Sequence, residues 1–254
     1  MKNLLLSALF AFTVAYIGLN LYLYFFQRSF IYFPTAATPE DSSKTEVLKV
    51  ADATLKLSVR PHAGPKALIY FGGNAEDVSF SLDAFANAFP DYAIYLLHYR
   101  GYGGSTGTPS ETALHADALA LYEKVHARHS NILVAGRSLG SGVAVRLAAT
   151  QPVNRLILVT PYDSLVNMAK MLFPYIPAEL LLQDRFESWR YAPEIKAHTL
   201  ILAAESDEVI PRERTLSLYK AFAPGVARME IIAAAGHNSI SNSSEYWSAM
   251  RGFE

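Results

Sequence analysis

At 254 residues the chain is long enough for one large core, and Lys plus Arg (22) against Asp plus Glu (23) leaves a formal net charge of -1, so no global field recruits nucleic acid or acidic ligands. There is no cysteine, which excludes disulfides, thiolate-bound zinc, a thiol nucleophile and lipid attachment through sulfur. Without an H-E-x-x-H run or clustered carboxylates, a metal site has no basis in the sequence, and the expected chemistry uses no cofactor.

From Leu4 to Phe26 there is no charged residue. A helix over that stretch rises roughly 34 Å, against a hydrocarbon core of about 30 Å. A transmembrane anchor over 1–28 is expected, with Lys2 before it, Gln27 and Arg28 after it, and Tyr16, Tyr22 and Tyr24 suited to an interfacial aromatic belt. The run exceeds the 7–15 apolar residues of a cleaved signal and leads into "QRSFIYFP" rather than a small-residue cleavage site. A short positive start before a long apolar run is typical of an N-in signal anchor, which places 29–254 on the non-cytoplasmic side of a single-pass membrane protein.

Residues 31–39 read as an extended tether, because Pro34 and Pro39 discourage helix. "EVLKV" and "TLKLSVR" alternate apolar and polar residues around Ala51-Asp52-Ala53, the pattern of an antiparallel hairpin with one buried face. Continuous apolar runs follow at 67–71, 93–99, 132–136, 156–160, 200–204 and 229–235. Such runs fit parallel strands covered on both faces. Helix-like stretches near 76–88, 111–129, 140–150, 211–222 and 242–252 lie between or after them, so the expected fold is a mostly parallel, doubly wound α/β sheet. Residues 165–192 break the rhythm with an apolar segment holding Pro174 and Pro177, read as a small helical flap and a wall of the pocket.

The run "ILVA" leads into Gly136-Arg137-Ser138-Leu139-Gly140 and emerges in "VAVRLAAT". This is G-x-S-x-G with a strand before it and a helix after it, a turn tight enough to exclude side chains at the glycines and push Ser138 outward at a helix N-terminus. A serine nucleophile needs a base, and the base needs an acid to hold its tautomer. Both are expected later in the chain, acid then His, past the carboxyl ends of late strands. Asp207 and His237 meet that description; Glu205 and Glu208 flank the first as rival acids. Of the other histidines, His115, His126 and His129 sit on the expected helix before the elbow, and His62, His98 and His198 lie at a turn or strand ends. Oxyanion donors are expected from the Leu139 N–H and from Gly73 or Asn74 in "YFGGNAEDV". "GYGGSTG" at 101–107 does not fit G-x-G-x-x-G, so dinucleotide binding is rejected.

Together "LIYFGGNAED", "HYRGYGGSTGTPSE", "AGRSLGSGVA", "TPYDSL", "AESDEVIP" and "GHN" resemble the serine α/β-hydrolase superfamily, and more narrowly its membrane-anchored Bem46-like branch. The resemblance spans nearly the whole chain. It implies the α/β-hydrolase fold, with Ser138 as nucleophile, His237 as base, Asp207 as acid, and Asn74 and Leu139 as oxyanion donors. One departure stands at Phe71-Gly72-Gly73, where such proteins often carry His-Gly. The expected activity is hydrolysis of carboxylic esters or thioesters through an acyl-enzyme. Peptide or amide cleavage and a non-catalytic binding scaffold are the alternatives. An acyl-chained or lipidic small-molecule substrate is expected from the apolar flap and aromatic tether, with the bilayer as the partner of the N-terminal helix.

Overall fold

The computed structural model describes residues 1–37 and 44–253. Helix α1 (Lys2–Ile31) is followed by the hairpin β1 (Thr45–Val50) and β2 (Ala53–Arg60). Then come β3 (Lys66–Phe71), α2 (Leu82–Ala88), β4 (Ala93–Leu97), α3 (Glu111–His126), β5 (Asn131–Arg137), α4 (Leu139–Thr150) and β6 (Arg155–Val159). Helices α5 (Leu165–Leu172), α6 (Ala178–Leu181) and α7 (Ser188–Tyr191) make the flap. The chain closes with β7 (His198–Ala204), α8 (Arg212–Ala221), β8 (Ala227–Ile232) and α9 (Ser244–Arg251).

The eight strands form one sheet in the order β1-β2-β4-β3-β5-β6-β7-β8. β1 pairs antiparallel with β2 and β2 antiparallel with β4; every later pairing is parallel. Continuous apolar runs in β3 to β7 match burial on both faces. One face packs Leu121 of α3, Val143 and Leu147 of α4 and Leu218 of α8 on Ile69 and Val134. The other packs Phe85 of α2 and Met250 of α9 on Leu68 and Leu133. Register places Phe71 opposite Gly136 and Arg137 opposite Val159, so the carboxyl ends of β3, β5 and β6 share one rim.

Four local details differ from the sequence reading. The run at 229–235, expected to be buried on both faces, is the half-exposed edge strand β8, which ends at Ile232 and pairs only with β7. Helix α1 runs through Arg28 to Ile31, because nothing in Arg28-Ser29-Phe30-Ile31 breaks a helix; it stops at Tyr32, two residues before Pro34. The tether therefore begins at Tyr32, which is buried, and its expected end at Thr38 and Pro39 lies outside the described residues. The helix expected from 76 starts later, as a 3₁₀ turn over Val78–Ser81 capped by the Asp77 carboxylate, before α2 takes over.

The loop after β4 is fastened by one guanidinium. Arg100 Nε and Nη2 donate to the two Asp117 carboxylate oxygens of α3, both at 2.8 Å, and Nη1 reaches Asp52 of the hairpin turn at 2.7 Å. The Asp117 side chain is 1% exposed and that of Asp52 72%. Asp117→Ala removes the buried, two-point partner of Arg100 and leaves only the exposed Asp52, so it should destabilise the fold by about 2–3 kcal/mol. Asp52→Ala should change stability little. Denaturant unfolding of the two variants in detergent, followed by tryptophan fluorescence, checks the contrast.

Candidate active site

β5 must turn into α4 at a single residue, and Ser138 takes φ 48 and ψ -116 to do so. A non-glycine residue at positive φ is strained by about 1–3 kcal/mol and persists only where its surroundings hold it. Here the Ser138 N–H donates to the Val159 carbonyl at 2.9 Å, and its carbonyl accepts from Ser141 Oγ at 2.6 Å. Gly140 packs directly on β3, where a Cβ would lie 2.1 Å from the Phe71 carbonyl oxygen. A Cβ at Gly136 would lie 2.4 Å from the Gly140 carbonyl oxygen.

Two distant residues converge on that turn. His237 Nε2 lies 3.0 Å from Ser138 Oγ, and His237 Nδ1 lies 3.0 Å from each carboxylate oxygen of Asp207. The His237 and Asp207 side chains are both buried. Asp207 Oδ1 also accepts the backbone N–H groups of Val209 at 2.9 Å and Ile210 at 2.7 Å. Burial pushes the Asp207 carboxyl up, but the His237 ring and these two N–H groups more than offset it, and the acid lies below its ordinary range. A depressed carboxylate adds stability above its unfolded pKa, and that contribution is lost as pH falls through the lower folded value.

The rival acids have different tasks. Glu208 accepts the His237 backbone N–H at 2.9 Å, and Glu205 accepts that of Ala234 at 2.8 Å, so both brace the histidine loop and neither bonds the ring. The buried His98 and His129 are bonded elsewhere, to Ser58 and to Tyr95 with the Gly64 carbonyl.

Of the two expected second donors, Gly73 is occupied: its N–H donates to Glu76 at 2.7 Å. The Asn74 N–H has no acceptor among the described residues, and Leu139 opens α4, where an N–H has no intrahelical partner. The Asn74 side chain caps no following helix, a role that falls to Asp77. Instead it grips the end of α1, its Nδ2 donating to the Ile31 carbonyl at 2.7 Å and its Oδ1 accepting the Phe33 N–H at 2.9 Å. Burial pushes the Tyr102 phenol up to about 12, so it stays protonated and donates to the same Oδ1 at 2.8 Å.

Sequence reasoning missed Glu76, Arg137 and Tyr102. Arg137 Nη1 meets Glu76 at 3.2 Å, while Nη2 holds the His237 carbonyl at 3.2 Å and Asn238 Oδ1 at 3.1 Å. Glu76 also accepts the Tyr70 hydroxyl at 2.9 Å. One ion pair thus ties the loop after β3, the turn after β5 and the loop after β8. The available signal was a charged residue at the end of each of two apolar strand regions, but no spacing rule joins positions 61 apart.

Above the turn lies a cavity of about 780 Å³, with Ser138, Leu139 and Asn74 among its lining residues. Leu19, Leu23 and Phe30 of α1 form one wall, and Met168, Phe173 and Leu181 of the flap another. Among the described residues no group of three or more His, Cys, Asp or Glu is placed to hold a metal ion.

Residues 66–193 match the family model described as the alpha/beta hydrolase fold. The chain belongs to that family. As an α/β hydrolase it is 32% identical over 237 residues to a protein of Mycobacterium tuberculosis, a match covering 87% of this chain and 84% of that one. It is 26% identical over 261 residues to protein bem46 of Schizosaccharomyces pombe, covering 91% and 87%, which agrees with the Bem46-like resemblance. Lysophosphatidylserine lipase ABHD12 of Danio rerio is 33% identical over 148 residues, which cover 50% of this chain and 39% of that protein. The Pyrococcus furiosus esterase Pf2001 shares the fold, with a TM-score of 0.67 at 16% identity over 87% of this chain and 97% of that chain.

The packing of this α/β hydrolase at Gly140 is tested by Gly140→Ala, whose new methyl group meets the Phe71 and Gly72 carbonyl oxygens at 2.1 and 2.6 Å. β3 or the turn must then shift, so folded yield and melting temperature in detergent should drop sharply. Gly18→Ala in α1, where nothing lies within 4 Å, should behave like the parent.

Proposed function

We propose that this α/β hydrolase is a membrane-anchored serine hydrolase that cleaves acyl esters or thioesters through an acyl-enzyme. The observation that carries the reading is the line Ser138 Oγ, His237 Nε2, His237 Nδ1, Asp207, with both links at 3.0 Å, at the base of an apolar cavity. Ser138 Oγ attacks the acyl carbonyl carbon while His237 Nε2 takes its proton, and Asp207 holds Nδ1–H and stabilises the imidazolium. Negative charge forming on the carbonyl oxygen is received by the N–H groups of Leu139 and Asn74. Collapse expels the alcohol or thiol with the proton from His237. Water, activated by the same imidazole, then releases the carboxylic acid and restores Ser138.

The cavity supports an acyl chain as the recognised group. Apart from Gln27, Asn74, Ser138 and Tyr162 its lining is apolar, mostly Leu, Ile, Phe and Met side chains, against which each buried CH₂ contributes about 0.8 kcal/mol. The relative named as a lysophosphatidylserine lipase supports the same substrate class. Detergent-solubilised full chain should hydrolyse p-nitrophenyl esters with kcat/KM rising by about one to two orders of magnitude over a few methylenes beyond butyrate. A steady fall beyond butyrate contradicts the acyl-chain reading. Ser138→Ala and His237→Ala should remove turnover, and Asp207→Asn should lower it about 10⁴-fold. Glu205→Gln and Glu208→Gln should keep most of it, and the acid is misassigned if either behaves like Asp207→Asn.

Anchoring rests on α1, 30 residues long with a mean hydropathy of 2.0 over its most apolar 18-residue window. The orientation proposed has the hydrolase domain on the non-cytoplasmic side, since Lys2 ahead of the uncharged run Leu4 to Phe26 suits an N-in helix although Arg28 nearly balances it. Protease added to intact cells or spheroplasts should digest the domain; protection until the inner membrane is opened reverses the orientation.

A further inference from the structure

The flap does more than roof the cavity. Its tip lies beside the middle of α1: the Tyr16 hydroxyl donates to the Tyr175 carbonyl at 2.6 Å. Farther down, Gln27 Nε2 donates to the Leu181 carbonyl at 3.0 Å, the Gln183 N–H donates to Gln27 Oε1 at 2.7 Å, and Arg28 Nε donates to Asp184 at 2.9 Å. The flap therefore climbs α1 from its charged end toward its apolar centre. At roughly 1.5 Å per residue Tyr16 stands about 18 Å beyond Arg28 along the axis, or about 14 Å toward the membrane centre at a 40° tilt. With Arg28 at the interface of a core about 30 Å thick, a leaflet is about 15 Å deep, so the tilted helix keeps the flap tip within one leaflet, close to the midplane, whereas an upright one would carry Tyr16 just past it.

The flap tip has the chemistry of a dehydrated segment. Tyr175 and Leu180 are 86% and 82% exposed, and Met171, Leu172 and Phe173 are exposed beside them. Between Leu165 and Leu182 the charged residues are Lys170 and Glu179, and these pair with each other. Backbone polarity is also suppressed where the chain is not helical. Pro174 and Pro177 have no N–H, and those of Phe173, Ile176 and Ala178 donate within the flap at 2.8 to 3.0 Å, so that of the turn only the Tyr175 N–H finds no acceptor among the described residues. Non-helical backbone at membrane depth requires such internal satisfaction. Water would not require it of an exposed loop.

We propose that the flap tip, residues 171–181, is immersed in one leaflet beside α1, and that the cavity over Ser138 fills laterally from that leaflet, an acyl chain passing between α1 and the flap. Leu19 and Leu23 line the cavity from the apolar stretch of α1, so its wall is continuous with the lipid-facing helix. The occupant of the exposed flap surface is thus the hydrocarbon of membrane lipids. This rests on the reading of α1 as a membrane span and of Ser138 as the nucleophile under Proposed function.

The chain has no cysteine, so single variants Tyr175→Cys and Leu180→Cys can each carry one environment-sensitive fluorophore in the full chain reconstituted into phosphatidylcholine vesicles. Val47→Cys, exposed on the edge strand β1, is the aqueous control. Nitroxide-labelled acyl chains should quench both flap probes and spare the control, and aqueous iodide should do the reverse. Flap probes quenched by iodide as strongly as the control, or shielded from both quenchers, overturn the proposal. In an activity arm, Leu180→Asp should lower hydrolysis of a palmitoyl ester embedded in the vesicles by at least about tenfold, the weight of one large apolar side chain. Its hydrolysis of soluble p-nitrophenyl butyrate should stay near the parent's. Equal loss on both substrates, or loss on neither, counts against lateral filling. Absence of hydrolysis by the parent overturns the serine-hydrolase reading instead, while the quenching result still decides whether the flap is immersed.

Discussion

Ser138 sits at φ 48, ψ -116 because the sheet leaves β5 no other way into α4. The turn has no slack on either side: Gly140 rests on the Phe71 and Gly72 carbonyls and Gly136 on Gly140. Strain of that kind holds only where neighbours over-determine it. The strongest of those neighbours are the parallel pairings of β5 with β3 and β6, whose last partners, Phe71 with Gly136 and Arg137 with Val159, end at the turn itself. The sheet is thus the device that presents one hydroxyl, and the loops at its carboxyl rim are what remains to be positioned around it.

Those loops are joined by polar groups that are largely shielded from water. Glu76 and Arg137, with side chains 11% and 16% exposed, link the loop after β3 to the turn and onward to the carbonyl of His237. Glu208 and Glu205 fix the same histidine loop from the other side through backbone N–H groups. Asp207 is then free to face the ring. Three carboxylates within four residues are separated by direction: two hold the backbone, and one meets the imidazole. Asn74 extends the network to α1, because the side chain that anchors the loop bearing its N–H is bonded to Ile31 and Phe33. The apolar N-terminal helix is consequently part of the wall and part of the support of the cavity.

Much of this was legible in the sequence. Continuous apolar runs located the parallel strands β3 to β7 because strands buried on both faces leave few polar positions, and alternation in "EVLKV" and "TLKLSVR" marked the half-exposed hairpin. The glycines around Ser138 announced a turn with no room for side chains, and chain order pointed to His237 and to Asp207 with Glu205 and Glu208 as rivals; the structure brings Asp207 into hydrogen-bond reach of His237, and His237 into reach of Ser138. What the sequence did not reveal depends on contacts between remote segments. No local pattern pairs Arg137 with Glu76, or tells that Gly73 spends its N–H on a carboxylate while Asn74 keeps its own. Helix α1 was legible as a long apolar span, but its continuation to Ile31 and the hydrogen bonds of Gln27, Arg28 and Tyr32 to the flap were not. These contacts hold the end of α1 and Tyr32, the first residue of the tether, against the flap.

The account turns on Ser138 being the group that becomes acylated. The most direct measurement is to treat the full chain with a fluorophosphonate, digest it, and locate the covalent adduct by peptide mass spectrometry. The structure predicts a single stoichiometric adduct on Ser138, and its absence in His237→Ala. An adduct on another serine, or a folded protein that takes up no reagent at all, would contradict the account.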